Sequence, residues 1–321
     1  MRQHLCRQEC GAMASFRPWC CLGLAVYLLL AGGWAMAAEI LVLQSHDSQP
    51  YQQTLQGIKA VFERHNLHAD FQLVTISAAT PDQALVERLR ERPPQLLIAL
   101  GTPATRAAVA LSRTIPIVSG LLLDSDELHG QPHLTGVELD FPPRLQWQWL
   151  RRLLPDAQRI AVLYDPKHGL ALFQDLQQQA KLESIQLIPA PAQAPEDLPA
   201  LLQQLPTQLD ALWAVDGVAA FNAVAVRELL LYSFRNRTPL IGLSAQWVKA
   251  GAIYALDWDY ADLGAQAAEL ALDILDKGMS PSSLPPQPPR RVRPVFNSRT
   301  AEHMKIAIPE RWLPEIAEVL Q

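Results

Sequence analysis

The fold class follows from residues 39–77, EILVLQSHDSQPYQQTLQGIKAVFERHNLHADFQLVTIS, in which the spacing of the apolar residues changes twice. The first segment, 39–45, is a short apolar run typical of a buried strand, and residues 71–77 repeat that pattern. Between them, residues 51–65 carry apolar side chains three and four positions apart, as on one face of an α-helix. A strand, a helix and a second strand in this order predict a βαβ unit with parallel strands.

The alternation continues along the rest of the chain. It repeats through QLLIAL (95–100) and IPIVSG (115–120), and it restarts after residue 137 with RIAVLYD (159–165). We therefore predict an α/β fold with two doubly wound parallel-sheet lobes. The first lobe is expected to comprise residues 39–137 and about 244–280, and the second lobe residues 138–243 and about 290–321.

Two segments are expected to connect these lobes. The first is a linker at residues 135–142, and the second is the proline-rich stretch SPSSLPPQPPRRVRP (280–294). Because proline removes a backbone donor and fixes φ, the second segment is predicted to be neither helix nor central strand. Strand and helix patterns return in residues 295–320. Repeated crossing of this kind predicts a hinge of several strands rather than a single tether.

The first 38 residues have the features of an export signal. A basic residue precedes the short apolar run WCCLGLAVYLLLA (19–31), and Ala35-Met36-Ala37 matches the small-residue pattern of a cleavage site. An uncleaved membrane anchor is the alternative, although the run is short and ends in small residues. Met13 can serve as the start in place of Met1. We expect a cleaved signal peptide and a periplasmic location.

The overall charge disfavours nucleic acid as a partner. The chain has 321 residues and a formal charge of −5, and removing residues 1–38, with three basic residues and one acidic residue, leaves −7. No basic stripe accompanies this acidic balance. The cluster Arg290, Arg291 and Arg293 is too short to change that expectation.

The cysteines restrict the chemistry further. All four, Cys6, Cys10, Cys20 and Cys21, lie in the expected export signal. The exported chain would therefore carry no disulfide, no thiolate metal site and no cysteine nucleophile.

Motifs for nucleotide and metal chemistry are missing from the sequence. It contains no Walker loop, no GxGxxG and no HExxH. His65 and His68 lie close in the sequence, but they fit exposed surface positions better than a zinc site. We therefore expect no cofactor and no metal.

A hydrolase is the enzymatic alternative. Gly242-Leu243-Ser244-Ala245-Gln246 is the closest match to a nucleophile elbow, but Gln246 stands where the strained turn needs a second glycine. Asp257 and His303 follow in an order suitable for a triad, which is weak support without the turn. Ser244 fits a helix N-cap better, so we expect a protein without catalytic residues.

A candidate ligand site follows the strand in LIALGTPATRAA (97–108). Ligands of open parallel sheets bind beyond the carboxyl ends of the strands, where a starting helix offers free N–H groups. Thr102 can cap the helix, Pro103 suits its first turn and Thr105 can add a hydroxyl, which together would bind a carboxylate. A well-capped helix with nothing bound explains the same residues.

Other strand ends carry polar residues as well. Ser45 follows the first strand with Tyr51 beyond it, and Ser119 ends the fourth. Asp165 and Asp216 follow two strands of the second lobe. Asp216 could pair with a ligand ammonium group, because a buried carboxylate needs a cationic partner; a helix N-cap is the equal alternative.

Several stretches resemble one known family in their order and spacing. They are YQQTLQGIKAVFE, ALGTPATRAA followed by IPIV, HLTGVELD, LLPDAQRIAVLYDPKHG, VKAGAIYALDWDYADLG and NSRTAEHMKIAIP. Together they resemble the extracytoplasmic substrate-binding proteins of the tryptophan/tyrosine-type ABC transporter family, over essentially the whole exported chain. The resemblance implies a type I periplasmic-binding fold, in which two lobes close on a small ligand.

The resemblance also implies a set of binding residues. The ligand-binding residues expected on this basis, together with the strand ends above, are Ser45, Tyr51, Thr102, Ala104, Thr105, Ser119, Asp165, Asp216 and Ser244. The chain has Asp216-Gly217-Val218 where relatives commonly have Asp-Asn-Thr, so the identity of the ligand cannot be copied from a relative. Trp213, Trp247 and Trp258 could stack on an aromatic ligand, or they could fill a core.

The expected function is capture of a small ligand, an amino acid or a related carboxylate, and its delivery to an ABC permease in the inner membrane. Lobe closure would be the state that the permease recognises. The alternative is a sensory protein of the same fold that reports ligand occupancy to a membrane receptor or kinase. Neighbouring genes for a permease and an ATPase would favour transport. We expect a monomer.

Overall fold

The βαβ unit expected near the N-terminal end is present and begins a five-stranded sheet. The computed structural model describes residues 38–76, 83–122, 125–167, 169–215 and 221–320. The residues before Ala38, with most of the expected export signal, lie outside the described residues, and so does Asp216 with its neighbours Gly217 and Val218.

The first sheet is parallel throughout, with the strand order β2-β1-β3-β4-β5. Every residue of the central strand β3 is buried, as the continuous run LLIAL requires. Its strands are β1 (Ala38–Gln44), β2 (Ala69–Thr75), β3 (Leu96–Leu100), β4 (Ile117–Leu122) and β5 (Leu134–Glu138). The helices between them are α1 (Gln49–Arg64), α2 (Gln83–Glu91) and α3 (Thr102–Leu111).

The second sheet has seven strands in the order β12-β11-β10-β9-β8-β6-β7. Its pairs are parallel except for β10 and β11. The strands are β6 (Arg159–Tyr164), β7 (Gln186–Pro191), β8 (Ala211–Ala214), β9 (Leu240–Gly242), β10 (Tyr254–Trp258), β11 (Val292–Asn297) and β12 (Glu318–Leu320). The remaining helices are α4 (Pro143–Leu153), α5 (Leu170–Leu182), α6 (Leu198–Gln204), α7 (Ala223–Asn236), α8 (Ala245–Ala250), α9 (Tyr260–Leu275) and α10 (Ser298–Met304). The predicted α/β fold with two parallel-dominated sheets is confirmed.

Helix α9 returns to the first sheet, where it packs against α1, β4 and β5. Two glycines let the backbones of α1 and α9 nearly touch. A Cβ atom on Gly57 would lie 2.0 Å from the carbonyl oxygen of Ala261, and one on Gly264 would lie 2.0 Å from that of Thr54. The crossing therefore depends on residues without side chains at both positions.

The positions at which the chain changes sheets differ from the sequence expectation. Residues 134–138 form β5, so only residues 139–142 connect the two sheets there. Residues 244–258, expected in the first lobe, contribute α8 and β10 to the second sheet, because β10 pairs with β9. The return to the first sheet begins at Tyr260. The division into two lobes itself stays a prediction.

The proline-rich stretch is held against the first sheet by hydrogen bonds. Thr135 Oγ1 donates to the carbonyl of Leu284 at 2.7 Å, and the Gln287 N–H donates to the carbonyl of Gly136 at 3.0 Å. The expectation that 280–294 holds no central strand is wrong for Val292–Pro294, which begin β11 between β10 and β12. The proline is tolerated because pairing with β12 starts only at Val295.

The short basic cluster is used in ion pairs. Arg290 contacts Asp262 at 2.9 Å and Glu269 at 2.8 Å, and Arg293 lies 3.7 Å from Glu318. Arg290 and Arg293 are therefore paired with carboxylates of the protein, and the cluster does not form an open basic patch. Within the described ranges, no helix combines the length and the apolar character that spanning a bilayer would require.

Candidate functional site

The link between β3 and α3 has a backbone conformation that favours glycine. Gly101 has φ of +92°, and its N–H donates to the carbonyl of Gly120 on the neighbouring strand at 2.8 Å. A Cβ atom at this position would lie 2.6 Å from Ser45 Oγ and 2.7 Å from the Tyr51 hydroxyl oxygen. Ser45, which follows β1, and Tyr51, in the first turn of α1, therefore both lie against Gly101.

The start of α3 is capped by a residue from another element. Thr102 was expected to cap, but Gly101 is the N-cap residue and Thr102 is already in the first turn. Ser45 Oγ, 59 positions away, accepts a hydrogen bond from the Ala104 N–H at 3.0 Å. Pro103 has no N–H, and among the described residues the Thr102 N–H has no intramolecular acceptor. This N–H is thus the donor that the first turn leaves for a ligand.

The hydroxyls of Thr105 and Ser119 are turned inward, contrary to the expectation that they would be offered to a ligand. Both side chains are buried and contact each other through their hydroxyl oxygens. Thr105 Oγ1 also donates to the Gly101 carbonyl at 3.0 Å, and Ser119 Oγ to the carbonyl of Ala99 at 3.1 Å. Buried hydroxyls need hydrogen-bond partners. Through these internal hydrogen bonds, Thr105 and Ser119 stabilise the turn between β3 and α3.

Tyr51 lies at the rim of this turn on α1. Its side chain is half-buried, and its ring makes an edge contact with His46 at a centroid distance of 5.6 Å. Burial raises the pKa of the Tyr51 hydroxyl, so this group is a neutral donor and acceptor at physiological pH.

Asp165 and Asp216 were expected in the second lobe and Ser244 in the first, and the structure describes two of these three residues. Asp165 follows β6, is buried, and accepts a hydrogen bond from the Lys167 N–H at 2.8 Å within its own loop. Ser244 is the N-cap residue of α8 but forms no capping hydrogen bond through its side chain. Asp216 lies outside the described residues, so its role toward an ammonium group stays a prediction.

A carboxylate that the sequence did not single out as a ligand-site residue fixes the start of α8. Asp257 Oδ2 accepts from the Ala245 N–H at 3.1 Å, and its Oδ1 accepts from Trp258 N–H at 2.9 Å. The Tyr260 hydroxyl also reaches Asp257 Oδ1 at 3.4 Å. Asp257 therefore replaces the side chain of Ser244 at the start of α8. A local sequence motif could not predict this role of Asp257, because the groups that donate to it lie on three different elements, α8, β10 and α9.

The residues considered for a hydrolase triad are not assembled. The hydrogen bonds of Asp257 go to two backbone N–H groups and to Tyr260. His303 instead packs against the ring of Phe234 with a centroid distance of 5.6 Å. The order Ser, Asp, His in the sequence does not correspond to a catalytic arrangement.

The three tryptophans considered for stacking are engaged within the protein. Trp258 stacks on Phe141 at 5.4 Å and donates through Nε1 to the carbonyl of Leu139 at 2.8 Å. Trp247 packs edge-on against Phe221, and Trp213 is buried in β8. In the described part of the chain, no group of three His, Cys, Asp or Glu side chains is arranged to hold a metal ion.

We expect the free energy of unfolding to fall as the pH rises above about 10. Burial raises the pKa of Tyr254, and burial together with the neighbouring charge of Asp257 raises the pKa of Tyr260. Unfolded tyrosines ionise near pH 10, so below that pH both states are neutral and the stabilisation is complete. Above it, each tyrosine reduces stability by up to about 1.4 kcal/mol per pH unit.

Urea titrations between about pH 9 and pH 11 check this expectation. The Tyr254→Phe variant removes one of the two buried phenols without changing the size of the ring. Its stability should fall less steeply with pH than that of the unsubstituted protein. Identical slopes would show that Tyr254 ionises as easily in the native state as in the unfolded chain.

Comparison with known proteins identifies a protein family whose model matches this chain. The family model described as ABC transporter substrate binding protein matches residues 38–320. A tyrosine-binding protein from Clostridioides difficile is 23% identical over 232 residues. That match covers 68% of this chain, and the chain spans 65% of the relative's length.

Solved structures show the same fold. CD0873 from Clostridium difficile, described as a substrate binding protein with adhesive properties, aligns in its ligand-free open form with a TM-score of 0.73. An ABC domain from Streptococcus pneumonia in complex with L-Trp aligns with a TM-score of 0.64. The two are 19% and 18% identical, and each comparison covers 88% of this chain and 99% of the other. At this level of identity they support the fold alone, and they agree with the expected type I periplasmic-binding architecture.

Proposed function

Because the chain belongs to the ABC transporter substrate binding protein family, we propose that it captures an amino acid or a related small carboxylate and delivers it to an ABC permease. Proteins of this family bind a small ligand, and no covalent step is required for that role. We propose that the chain is not an enzyme and acts by binding alone.

The start of α3 is the observation that carries this proposal. The Thr102 N–H is without an acceptor in the described structure, and the positive end of the helix dipole favours an anion there. Ser45 holds the Ala104 N–H and Gly101 lets Ser45 and Tyr51 approach closely. We propose that a carboxylate accepts from the Thr102 N–H and from the Tyr51 hydroxyl, while Thr105 and Ser119 keep their internal hydrogen bonds.

The amino group of the ligand needs an acidic partner. We propose Asp216 for this role, because it follows β8 at the carboxyl edge of the second sheet, where ligands of parallel sheets bind. Asp165 and Ser244 follow β6 and β9 at that same edge, and they complete the proposed second half of the site. The two sheets would then be the cores of two lobes that close on the ligand.

An aromatic amino acid is the ligand class that the relatives favour. One relative is described as tyrosine-binding, and one solved structure contains L-Trp. Their low identity to this chain means that the ligand must be measured on this protein. We further propose that residues 1–38 are a cleaved export signal, that the protein acts in the periplasm as a monomer, and that its partner is the permease.

Thermal unfolding against a panel of amino acids, small carboxylates, oligopeptides and nucleosides tests the proposal. A ligand at about 100 times its Kd adds roughly 2.7 kcal/mol to the stability of the native state, which raises Tm by a few degrees. We expect such a shift with at least one amino acid and none with nucleosides. A panel in which no amino acid or carboxylate raises Tm would contradict the proposed ligand class.

The Ser45→Ala variant is expected to weaken ligand binding as well as stability. Loss of the hydrogen bond to the Ala104 N–H should cost about 1 kcal/mol of unfolding free energy, as for other helix caps. The first turn of α3 is then less firmly held, and we expect the Kd for the ligand to rise about tenfold, equivalent to about 1.4 kcal/mol. Isothermal titration calorimetry with the ligand found in the panel measures this change.

Ser112→Ala is the matched control for Ser45→Ala. Ser112 Oγ accepts from the Ile115 N–H at 3.0 Å and from the Thr114 N–H at 3.1 Å, at the other end of α3. Its loss should reduce stability by a similar amount and leave the Kd unchanged. An equal loss of affinity in both variants would show that stability alone, rather than the start of α3, governs binding.

A further inference from the structure

A small cavity lies at the carboxyl ends of β8 and β9, and its lining residues do not include those at the start of α3. Ala214 and Gly242, the last residues of these strands, line it. Its walls include Phe141, before α4, and Trp213 on β8. Because ligands of parallel sheets bind beyond the carboxyl ends of the strands, this cavity is in the expected position for part of a ligand site.

One residue that lines the cavity has a polar atom without a hydrogen-bond partner. The side chain of Tyr254, on β10, is 1% exposed, and its hydroxyl forms no hydrogen bond within the described structure. Buried hydroxyls of native proteins nearly always have a partner, since an unpaired one costs free energy. Tyr254 sits in register with Ile241 of β9, which also lines the cavity. Tyr254 therefore lines the cavity and is buried, and the hydrogen-bonding capacity of its phenol is unused.

The other groups that line the cavity restrict which part of a ligand can enter it. Gln146 Nε2 donates to the carbonyl of Phe141 at 2.8 Å, so the amide oxygen of Gln146 is the part of that side chain left for another donor. Phe141 is itself fixed by stacking on Trp258. Aromatic and aliphatic walls with a few fixed polar groups suit the end of an apolar side chain that carries one hydrogen-bonding group. The cavity is too small for a whole ring and suits its polar tip.

We propose that Tyr254 is a specificity-determining residue, whose hydroxyl forms a hydrogen bond with the polar end of the ligand's side chain. The ligand class is then narrowed to amino acids whose apolar side chain ends in a hydrogen-bonding group, such as a phenol. This inference rests on the proposed function, since it assigns a second contact within the same ligand. The Gln146 amide oxygen accepts from the same group when that group is a hydroxyl.

L-tyrosine and L-phenylalanine form the matched pair of probes, because they differ by a single hydroxyl. Isothermal titration calorimetry on the unsubstituted protein and on Tyr254→Phe gives four Kd values. We expect the unsubstituted protein to bind L-tyrosine at least tenfold more tightly than L-phenylalanine. In Tyr254→Phe this preference should shrink about tenfold, mainly through weaker binding of L-tyrosine. Tyr254→Phe would lose the hydrogen bond to L-tyrosine and leave the ligand hydroxyl unpaired, and both effects weaken the binding of L-tyrosine.

Four outcomes would overturn the inference, and the third and fourth separate it from the proposed function. Unchanged Kd values for both probes in Tyr254→Phe would show that the ligand does not contact the phenol, which an internal water would then satisfy. Equal weakening of both probes would assign Tyr254 a structural role. If the unsubstituted protein binds L-phenylalanine as tightly as L-tyrosine, capture of amino acids stands and this inference fails. If neither probe binds, an aromatic ligand class fails as well.

Tyr232→Phe is the control variant. Tyr232 lies on α7, outside the cavity, and its side chain is half-buried. Its substitution should leave the preference between the two probes unchanged. Tyr254→Phe is expected to fold with a Tm no lower than that of the unsubstituted protein, because the change removes an unpaired buried hydroxyl and no packing volume.

Discussion

The Gly101→Ala variant is expected to lose about 3 kcal/mol of unfolding free energy and to bind its ligand at least tenfold more weakly. With φ of 92° and ψ of 158°, Gly101 has a conformation that is essentially restricted to glycine and costs an alanine roughly 1–3 kcal/mol. The added Cβ would also lie 2.6 Å from Ser45 Oγ and 2.7 Å from the Tyr51 hydroxyl oxygen, and overpacking of this kind costs about 1–3 kcal/mol. Urea unfolding and calorimetric titration measure the two effects.

Gly278→Ala separates the two causes. Gly278 also has a positive φ, of +64°, but a Cβ atom there would meet nothing within 4 Å. This control should therefore lose only the conformational term, about 1 kcal/mol, and keep the Kd of the unsubstituted protein. Equal losses of stability in the two variants, with ligand binding intact in both, would show that crowding around Gly101 is unimportant.

Gly264→Ala is expected to reduce the unfolding free energy by about 1–2 kcal/mol. Alanine is better than glycine inside a helix by about 1 kcal/mol, which would favour the variant if nothing else changed. The new Cβ, however, would lie 2.0 Å from the backbone carbonyl oxygen of Thr54, which cannot rotate away. Helices α1 and α9 must then separate, and the cost of overpacking exceeds the gain in helix propensity.

Ala265→Gly measures the propensity term on the same helix. Ala265 is half-buried beside Gly264, and its replacement should cost about 1 kcal/mol without crowding any neighbour. Adding that value to the loss seen in Gly264→Ala yields the energy of the clash alone. A Gly264→Ala protein as stable as the unsubstituted one would mean that α1 and α9 can move apart freely.

The site combines predictable and unpredictable contributions. The strand-to-helix transition at residues 97–108 predicts where α3 starts, and the polar residues after neighbouring strands predict that Ser45 and Tyr51 lie near it. The sequence could not show that Ser45 caps α3, because capping by Thr102 was locally just as reasonable. It also could not show that Asp257 holds the start of α8 through the Ala245 N–H.

The orientation of a hydroxyl was likewise beyond the sequence. Thr105 is one turn into α3, where the side chain of a threonine can point to solvent or donate to the carbonyl four residues earlier. In the structure, Thr105 donates to the Gly101 carbonyl. Its hydroxyl also contacts the hydroxyl of Ser119 on β4, and both side chains are buried. The arrangement that Thr105 adopts depends on the neighbouring strand β4, and the residues close to Thr105 in the sequence do not show that this strand lies beside it.

The fold class, the parallel strands and the position of the helix that begins the candidate site were determined by the sequence alone, since apolar periodicity and turn residues act over a few positions. The tertiary structure alone decided that α9 returns to pack on α1, that β10 joins the second sheet, and that Tyr254 is buried without a partner. Hydrogen-bond partners and close contacts depend on distances between elements far apart in the chain, and local patterns carry no information about those distances.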